Sequence, residues 1–269
     1  MEELIKSIRD RNAILFAGSG LSAGLGLPTF SQLIDFLANE LSYDPQIFST
    51  FGSFWELAEF YKNAKGSIGQ LRSWLDREWH SDKIDITKSE PHNLILELDF
   101  PLIYTTNYDR WIEYAHRDAG KEFRKVVNVG DLINLPDSKT QIVKFHGDFD
   151  DDNSIVLTES SYFDRLNFES PLDIKLRSDA LGKSILFIGY SLNDINMRLL
   201  LYKLHLMWLA SPNSSIRPKC YVFMAKPNPV QEDIFEKRGV KSIVSNSDNP
   251  GEALIEFLRR LVKNAKGKV

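Results

Sequence analysis

Short apolar runs alternate along the chain with segments in which apolar residues recur every three or four positions. The apolar runs lie at residues 13–17, 101–106, 141–145, 184–190, 219–225 and 241–245. Runs of this kind are typical of strands that are buried on both faces of a sheet. Because helical segments separate most of them, the pattern predicts an α/β fold with a doubly wound, mainly parallel sheet and helices on both of its faces.

The helical segments predict one domain over residues 1–269 with a single large insertion. Helical periodicity marks Thr29–Leu41 as the first crossover helix and also covers Asp194–Leu209 and Gly251–Val262. Residues from about 45 to 98 contain no strand pattern and are rich in Phe, Tyr and Trp. We interpret them as a helical insertion that caps the carboxyl edge of the sheet, with plain packing as the alternative.

Composition narrows the class of protein. The net charge is -4 over 269 residues, which does not favour general binding to nucleic acid or to anionic membranes. No apolar run approaches the roughly 18 residues that span a bilayer, and the charged N-terminus is unlike a signal peptide. The single cysteine, Cys220, excludes an internal disulfide and a multi-cysteine zinc site. We therefore expect a cytoplasmic protein.

The first apolar run is followed by a glycine-rich segment in which few residues carry large side chains. Gly18, Ser19 and Gly20 follow it directly, and two more glycines follow before Pro28. Either this is a tight structural turn, or its amides lie against the phosphates of a nucleotide. It is not a P-loop, since no Gly-Lys-Ser/Thr follows. It is not a Gly-x-Gly-x-x-Gly turn that opens directly into a helix either, since Pro28 delays the helix by about ten residues.

Polar residues follow the second apolar run. Thr106, Asn107 and Asp109 stand where this predicted strand ends. Ligands of parallel α/β sheets bind at the carboxyl ends of the strands, so these side chains are candidates for a binding site. The alternative is that Asn107 or Asp109 caps the following helix.

Two further strands also end in candidate residues. His146 and Gly147 follow the third apolar run, and a functional role for this histidine is about as well supported as a structural one. Gly189, Ser191 and Asn193 follow the fourth run and form a second turn of small residues suited to nucleotide contact. We assign the remaining histidines to packing or solvent: His80, His92, His116 and His205.

An acidic segment after His146 partly matches a calcium loop. Asp148, Asp150, Asp152 and Glu159 fall at loop positions 1, 3, 5 and 12. Asn153 occupies the position at which such loops need glycine, and the preceding segment is a predicted strand rather than a helix. A solvated acidic turn is therefore the better interpretation.

In this order, the four segments resemble the sirtuin-like NAD-binding family over about residues 12–245. They are more similar to its bacterial NAD-hydrolysing branch than to the protein deacylases. The resemblance implies a Rossmann-like fold and a turn that wraps the pyrophosphate and ribose of NAD. The turn residues that inherit this role are Ala17, Gly18, Ser19, Gly20 and Ser22.

The resemblance also implies roles in catalysis. Asn107 matches the family residue that positions the attacking water and the ribose, and His146 matches the catalytic histidine. Asp109 matches the residue that helps to recognise the nicotinamide carboxamide. The further nucleotide contacts that it implies are Thr106, Gly189, Ser191 and Asn193.

Two departures from the deacylase pattern are informative. Deacylases carry Pro-Asp-Phe-Arg where this chain has residues 28–31, PTFS, so only Phe30 remains as a shield over the nicotinamide ribose. Deacylases also carry four zinc cysteines in a small domain beside the peptide cleft. One cysteine cannot build that module. A cleft that admits only NAD and water is therefore expected rather than an acyl-lysine peptide reader.

The resemblance implies an NAD hydrolase that needs no metal and releases nicotinamide and ADP-ribose. Enzymes of this branch act as gated, NAD-depleting effectors in bacterial antiphage defence by abortive infection. We expect gating by a homo-oligomer, by a separate sensor or activator chain, or by the rest of a longer protein. The alternatives are an NAD-dependent deacylase or ADP-ribosyltransferase, and a non-catalytic module that binds NAD or ADP-ribose.

Overall fold

A seven-stranded sheet forms the centre of the protein. The computed structural model describes residues 1–133, 139–166, 169–190, 195–210 and 217–267, with the backbone alone at 195–197. All neighbouring strands are parallel, in the order β3-β4-β2-β1-β5-β6-β7. The strands are β1 Ala13–Ala17, β2 Leu102–Thr105, β3 Phe123–Val126, β4 Thr140–Lys144, β5 Ser184–Ile188, β6 Cys220–Met224 and β7 Val240–Val244.

This strand order confirms the predicted doubly wound sheet. The chain first builds the half of the sheet that contains β1 to β4, in which β4 lies between β2 and β3, and then crosses from β4 to β5 on the other side of β1. The direction of winding therefore reverses between β1 and β5. The carboxyl edge at such a reversal is where sheets of this kind bind ligands.

The apolar pattern did not predict β3. Its sequence, FRKV, has two charged residues between Phe123 and Val126, and only Val126 is fully buried. The strand lies at the edge of the sheet and pairs with β4 alone. An edge strand with one solvated face carries no continuous apolar run, so the pattern that marks the central strands is absent from it.

Helices pack around the sheet, and the first of them precedes β1. Their bounds are α1 Glu2–Arg9, α2 Phe30–Glu40, α3 Pro45–Phe48, α4 Phe54–Lys65, α5 Gly69–Trp79, α6 Glu90–Leu98, α7 Trp111–Asp118, α8 Glu159–Leu166, α9 Pro171–Gly182, α10 Ile195–Leu209, α11 Pro229–Lys237 and α12 Pro250–Lys266. The helix predicted at Thr29–Leu41 forms as α2 and begins with a capping box between Thr29 and Gln32. Its predicted role as the first crossover helix is wrong, because α2 packs with α3–α5, whereas α6, which lies between β1 and β2 in the chain, packs on a face of the sheet. Within the described ranges, no helix has both the length and the apolar character needed to cross a bilayer.

Each face of the sheet buries its own hydrophobic core. On one face, alternate strand residues such as Leu15 and Leu186 pack against α1, α6, α7 and α12. On the other face, the intervening residues such as Phe16 and Phe187 pack against α9, α10 and α11. Burial on both faces explains why the central strands are mostly apolar along their length.

A third core lies beyond the carboxyl edge of the sheet. Here α2, α3, α4 and α5 pack around Tyr61 and Leu71 and against the loops that follow β2 and β4. Tyr108 comes from the first of these loops, and Phe149 comes from the second. We refer to α2–α5 as the cap. It holds the two loops that carry the candidate catalytic residues against a packed apolar surface.

Candidate active site

Strand register brings the candidate catalytic residues to the same level. Thr105 at the end of β2 pairs with Ala17 on β1 and with Lys144 on β4. Asn107 and His146 each follow this row of paired residues by two positions. Neighbouring strands are about 4.8 Å apart, so the loops that carry these two residues leave the sheet side by side. The site is therefore built on adjacent strand ends at the carboxyl edge.

The turns after β1 and β5 are in direct contact. The amide of Gly20 donates to the carbonyl of Gly189 over 2.9 Å. A Cβ on Gly18 would stand 2.6 Å from that carbonyl oxygen, and one on Gly20 would stand 2.8 Å from the Gly189 Cα. Gly189 itself has a φ of 69°, which favours glycine. Packing between the two turns is thus sufficient to require these three glycines.

Hydrogen bonds tie the loop after β2 to the turn after β1. Thr105 Oγ1 donates to the Ala17 carbonyl over 2.9 Å and accepts from the Asn107 amide over 3.0 Å. The Asn107 side-chain amide donates to the Gly18 carbonyl over 3.2 Å. Asn107 is only 7% exposed, so its carboxamide is fixed in place rather than free to rotate. The predicted catalytic asparagine and the predicted nucleotide turn therefore form one unit.

Tyr190 joins three strand ends and was not among the residues singled out from the sequence. Its hydroxyl lies at the end of β1, where it donates to the Ala17 carbonyl over 3.2 Å, and it is 2.9 Å from Thr106 Oγ1 at the end of β2. Its ring packs edge-on against Phe16. The sequence feature that could have identified Tyr190 is its aromatic ring, which stands between Gly189 and the polar residues that follow. In this structure the hydroxyl of Thr106 therefore contacts the hydroxyl of Tyr190.

Asp109 is buried and has a local structural role. Its Oδ1 accepts from the amide of Trp111 over 3.2 Å at the first residue of α7. The N-cap of α7 is Arg110, without a side-chain cap hydrogen bond, so the alternative that Asn107 or Asp109 caps this helix is wrong, and Asp109 instead forms a turn just before it. One carboxylate oxygen is therefore committed to the protein backbone.

His146 lies inside the protein, beneath aromatic rings. The side chain is 3% exposed and packs against Phe145 and Tyr162, whose ring centroids are 6.0 and 5.5 Å away. Its Nε2 is buried and has no hydrogen-bond partner among the described residues. Burial, and then the positive charge of Arg165, lower the pKa of His146 from 6.5 to about 3. The ring is therefore neutral at physiological pH.

A neutral imidazole has the protonation state that a general base requires, but a pKa near 3 makes it a weak one. A negative charge placed close to the ring would favour its protonated form and raise this pKa. The charged neighbour that shifts the pKa of His146 in this structure is the cation Arg165.

Phe30 lies on the cap, at the first residue of α2. It is 54% exposed, and its ring contacts Phe54 and Trp55 on α4 at centroid distances of 5.0 and 5.9 Å. Trp55 in turn contacts Tyr162, which packs on His146. Aromatic rings therefore connect the predicted shield residue to the histidine, although the two are not in contact.

The structure describes two of the four remaining predicted nucleotide contacts, and both of these are serines. Ser19 is exposed on the short helical turn Ser19–Leu21, while Ser22 is 2% exposed and its Oγ has no partner in the described part of the chain. Ser191 and Asn193 lie outside the described residues. An enclosed hydroxyl beside the β1 turn is available to hydrogen-bond a ligand.

The acidic turn after His146 forms ion pairs. Asp148 lies 3.3 Å from both Arg110 Nε and Lys125 Nζ. Asp150 lies 2.8 Å from Arg110 Nη2 and 2.5 Å from Lys125 Nζ. Over the described ranges, no group of three or more His, Cys, Asp or Glu side chains is arranged to hold a metal ion. These carboxylates therefore serve the internal ion pairs.

Comparison with known proteins connects this geometry to a family. A model of the SIR2-like domain matches residues 101–243, which is more than half of the chain. The chain is 30% identical to "NAD(+) hydrolase ThsA" of Enterococcus faecium, over 86% of this chain and 48% of that protein. It is 28% identical to "NAD(+) hydrolase ThsA" of Bacillus cereus (strain MSX-D12), over 100% of this chain and 57% of that protein.

A further relative and a solved structure extend these findings. "Defense-associated sirtuin 2" of Bacillus subtilis is 26% identical over 90% of this chain and 24% of that protein. The crystal structure of a SIR2 homolog–NAD complex superposes with a TM-score of 0.53 at 15% identity, covering 99% of this chain and 95% of the other. The fold is therefore that of SIR2 proteins. The chain spans about half the length of the hydrolases that it matches.

Proposed function

The chain belongs to the SIR2-like family, and on that premise we propose that it is an NAD hydrolase that releases nicotinamide and ADP-ribose. The observation that carries the proposal is that Asn107 and His146 follow adjacent strand ends at the same register position. They lie beside the contact between the Gly18 and Gly189 turns. Similarity to named NAD hydrolases over most of this chain supports it.

NAD would bind across the point where the winding of the sheet reverses. The pyrophosphate would lie along the turn after β1, where the exposed Ser19 and the enclosed Ser22 offer hydrogen-bond donors. A Cβ on Gly24 would have no atom within 4 Å, so the backbone there is open to a ligand. The nicotinamide end would point towards the strands that carry Asn107 and His146. We extend the binding role to Ser191 and Asn193 by family resemblance.

The reaction breaks the bond between the nicotinamide nitrogen and C1′ of the ribose. Nicotinamide leaves as a neutral molecule with the bonding electron pair, and positive charge develops on the ribose. Asn107, held by the Gly18 carbonyl, would orient the water whose oxygen forms the new bond to C1′. Fixing the attacking water close to its target lowers the barrier by positioning.

His146 would accept the proton that this water loses, either directly or through a ribose hydroxyl. Burial, and then the charge of Arg165, keep the pKa of His146 at about 3, so the ring is in the neutral form that can accept this proton. Proton transfer to a positioned base is worth about 100- to 10,000-fold in rate.

The biological role that we propose is depletion of NAD in bacterial antiphage defence. The names of the relatives, NAD(+) hydrolase ThsA and Defense-associated sirtuin 2, support it. A cytoplasmic enzyme that destroys NAD must be inactive until it is triggered. We propose that assembly into a homo-oligomer, or a separate sensor or activator chain, supplies the trigger.

The test is product analysis after incubating the purified chain with NAD at high protein concentration. We expect nicotinamide and ADP-ribose from the wild type, and a loss of at least about 100-fold in His146→Ala and Asn107→Ala. His205→Ala, which changes a histidine on α10 away from the strand ends, is the matched control. An unchanged rate in either site variant would contradict the assignment.

Two additional measurements distinguish the alternatives. Turnover that appears only when an acylated peptide or an acceptor protein is added would identify a deacylase or an ADP-ribosyltransferase. Calorimetric binding of NAD without turnover, at all protein concentrations and with cell lysate present, would identify a binding module.

A further inference from the structure

One buried lysine contacts both of the loops that carry the candidate catalytic residues. Lys144 is the last residue of β4, and its side chain is 0% exposed. Its ammonium group binds the backbone carbonyl of Asp109 and lies 3.4 Å from that of Tyr108. These two carbonyls directly follow Asn107, whereas Lys144 itself stands two residues before His146.

The charge of Lys144 is balanced inside the protein. Glu113 Oε1 on α7 lies 3.2 Å from Nζ, and Asp148 Oδ2 lies 3.9 Å away. Burial raises the pKa of Glu113, and the charge of Lys144 opposes this shift. Asp148 has closer cationic neighbours in Arg110 and Lys125, each at 3.3 Å. Glu113 is therefore the main counter-ion of this lysine.

A buried ion pair is a costly way to fill a core, and a pair of apolar residues of similar volume is often at least as stable. Counter-charge alone thus does not explain why an ammonium group stands at this strand end. What an apolar residue cannot do is donate hydrogen bonds to the backbone carbonyls of residues 108 and 109. Those carbonyls lie in the loop whose position determines where the Asn107 side chain points.

We propose that Lys144 is a positioning residue that holds the loop of Asn107 at the level of His146, so that the two groups act on one substrate atom. Lys144 stands at the start of the loop that carries His146, and its ammonium group binds the backbone of the loop that carries Asn107. The proposal rests on the proposed function, because it assigns Lys144 to the hydrolysis of NAD.

The test separates positioning from charge balance with one single and one double variant. Lys144→Met removes the ammonium group and leaves Glu113 buried and unpaired, so the melting temperature should fall. Lys144→Met with Glu113→Gln removes both charges and should recover most of the lost melting temperature. The positioning contact remains absent in both variants.

Activity and backbone exchange are then measured on the double variant. We expect kcat for NAD hydrolysis to stay about 100-fold below the wild type, with little change in KM, because a misplaced Asn107 affects the chemical step more than binding. Hydrogen exchange measured by mass spectrometry should be faster in the peptide that contains residues 106–109. Lys125→Met, which changes a lysine of the same ionic cluster without contact to these carbonyls, should keep near wild-type kcat.

A double variant with restored kcat and unchanged exchange at residues 106–109 would overturn the proposal and reduce Lys144 to a counter-ion. A rise in KM at constant kcat would overturn it as well. If the wild type does not hydrolyse NAD at any protein concentration or with cell lysate present, the proposed function fails. The exchange measurement then still decides whether Lys144 fixes this loop.

Discussion

Acid should destabilise the wild-type chain more than a His146→Gln variant, because the fold encloses His146 as a neutral ring. Burial and the charge of Arg165 lower the pKa of this histidine from 6.5 to about 3. The unfolded chain exposes the same ring with its ordinary pKa. Between these two values the unfolded state binds a proton that the folded state does not bind. The corresponding stability is therefore present above about pH 6.5 and is lost as the pH falls.

The size of the effect follows from the two pKa values. At pH 7.5 the ring is neutral in both states, so the contribution to the pH dependence is close to zero. At pH 5.0 the unfolded ring lies about 1.5 units below its pKa of 6.5 while the folded ring is still neutral. At about 1.36 kcal/mol per unit, the free energy of unfolding falls by about 2 kcal/mol. Domains are stable by roughly 5–15 kcal/mol in total.

The assay is urea unfolding followed by tryptophan fluorescence at pH 7.5 and 5.0. The quantity compared is the loss of unfolding free energy between the two pH values, so that most contributions from other titrating groups cancel between wild type and variant. His92→Gln is the positive control. Burial lowers the pKa of His92, which lies on α6, to about 4, so acid should also destabilise the wild type more than this variant. An equal loss in wild type and His146→Gln would show that the folded state protonates His146, and that the ring is not enclosed as described.

Two further predictions concern the contacts between strand ends. Gly18→Ala should lower the melting temperature, because its Cβ would stand 2.6 Å from the Gly189 carbonyl oxygen, whereas Gly24→Ala should leave it unchanged, because no atom lies within 4 Å of the new methyl group. Equal melting temperatures would contradict the described packing of the turns. Tyr190→Phe should lower the free energy of unfolding measured in urea by about 1 kcal/mol, because Thr106 loses the hydroxyl that lies 2.9 Å away. A neutral substitution would show that this hydroxyl is hydrated instead.

The central strands were predictable because each is buried on both faces and therefore mostly apolar. The same signal cannot mark β3, an edge strand with two charged residues between Phe123 and Val126. The ends of the strands were predictable as well, since Asn107 and His146 stand directly after apolar runs. Local sequence thus carries the strand order along the chain and the positions at which polar groups leave the sheet.

The contacts between the loops were not predictable, because residues far apart in the chain make them. Lysine is almost never fully buried, so nothing in the local sequence distinguishes Lys144 from a solvated residue. Its partners Asp109 and Glu113 lie more than thirty residues earlier. Tyr190 reaches Thr106 across β1 for the same reason. Such contacts depend on the strand order, which only the assembled sheet provides.

The glycines after β1 show why a motif alone does not identify a binding turn. The sequence offered a tight structural turn and a phosphate contact as rival explanations. The structure shows that the Gly189 turn already requires Gly18 and Gly20 to lack side chains. Gly24 is different, because space alone would accept a side chain there. Packing thus explains Gly18 and Gly20 but not Gly24, and a substitution at Gly24 that spares stability but weakens NAD binding would separate ligand contact from packing.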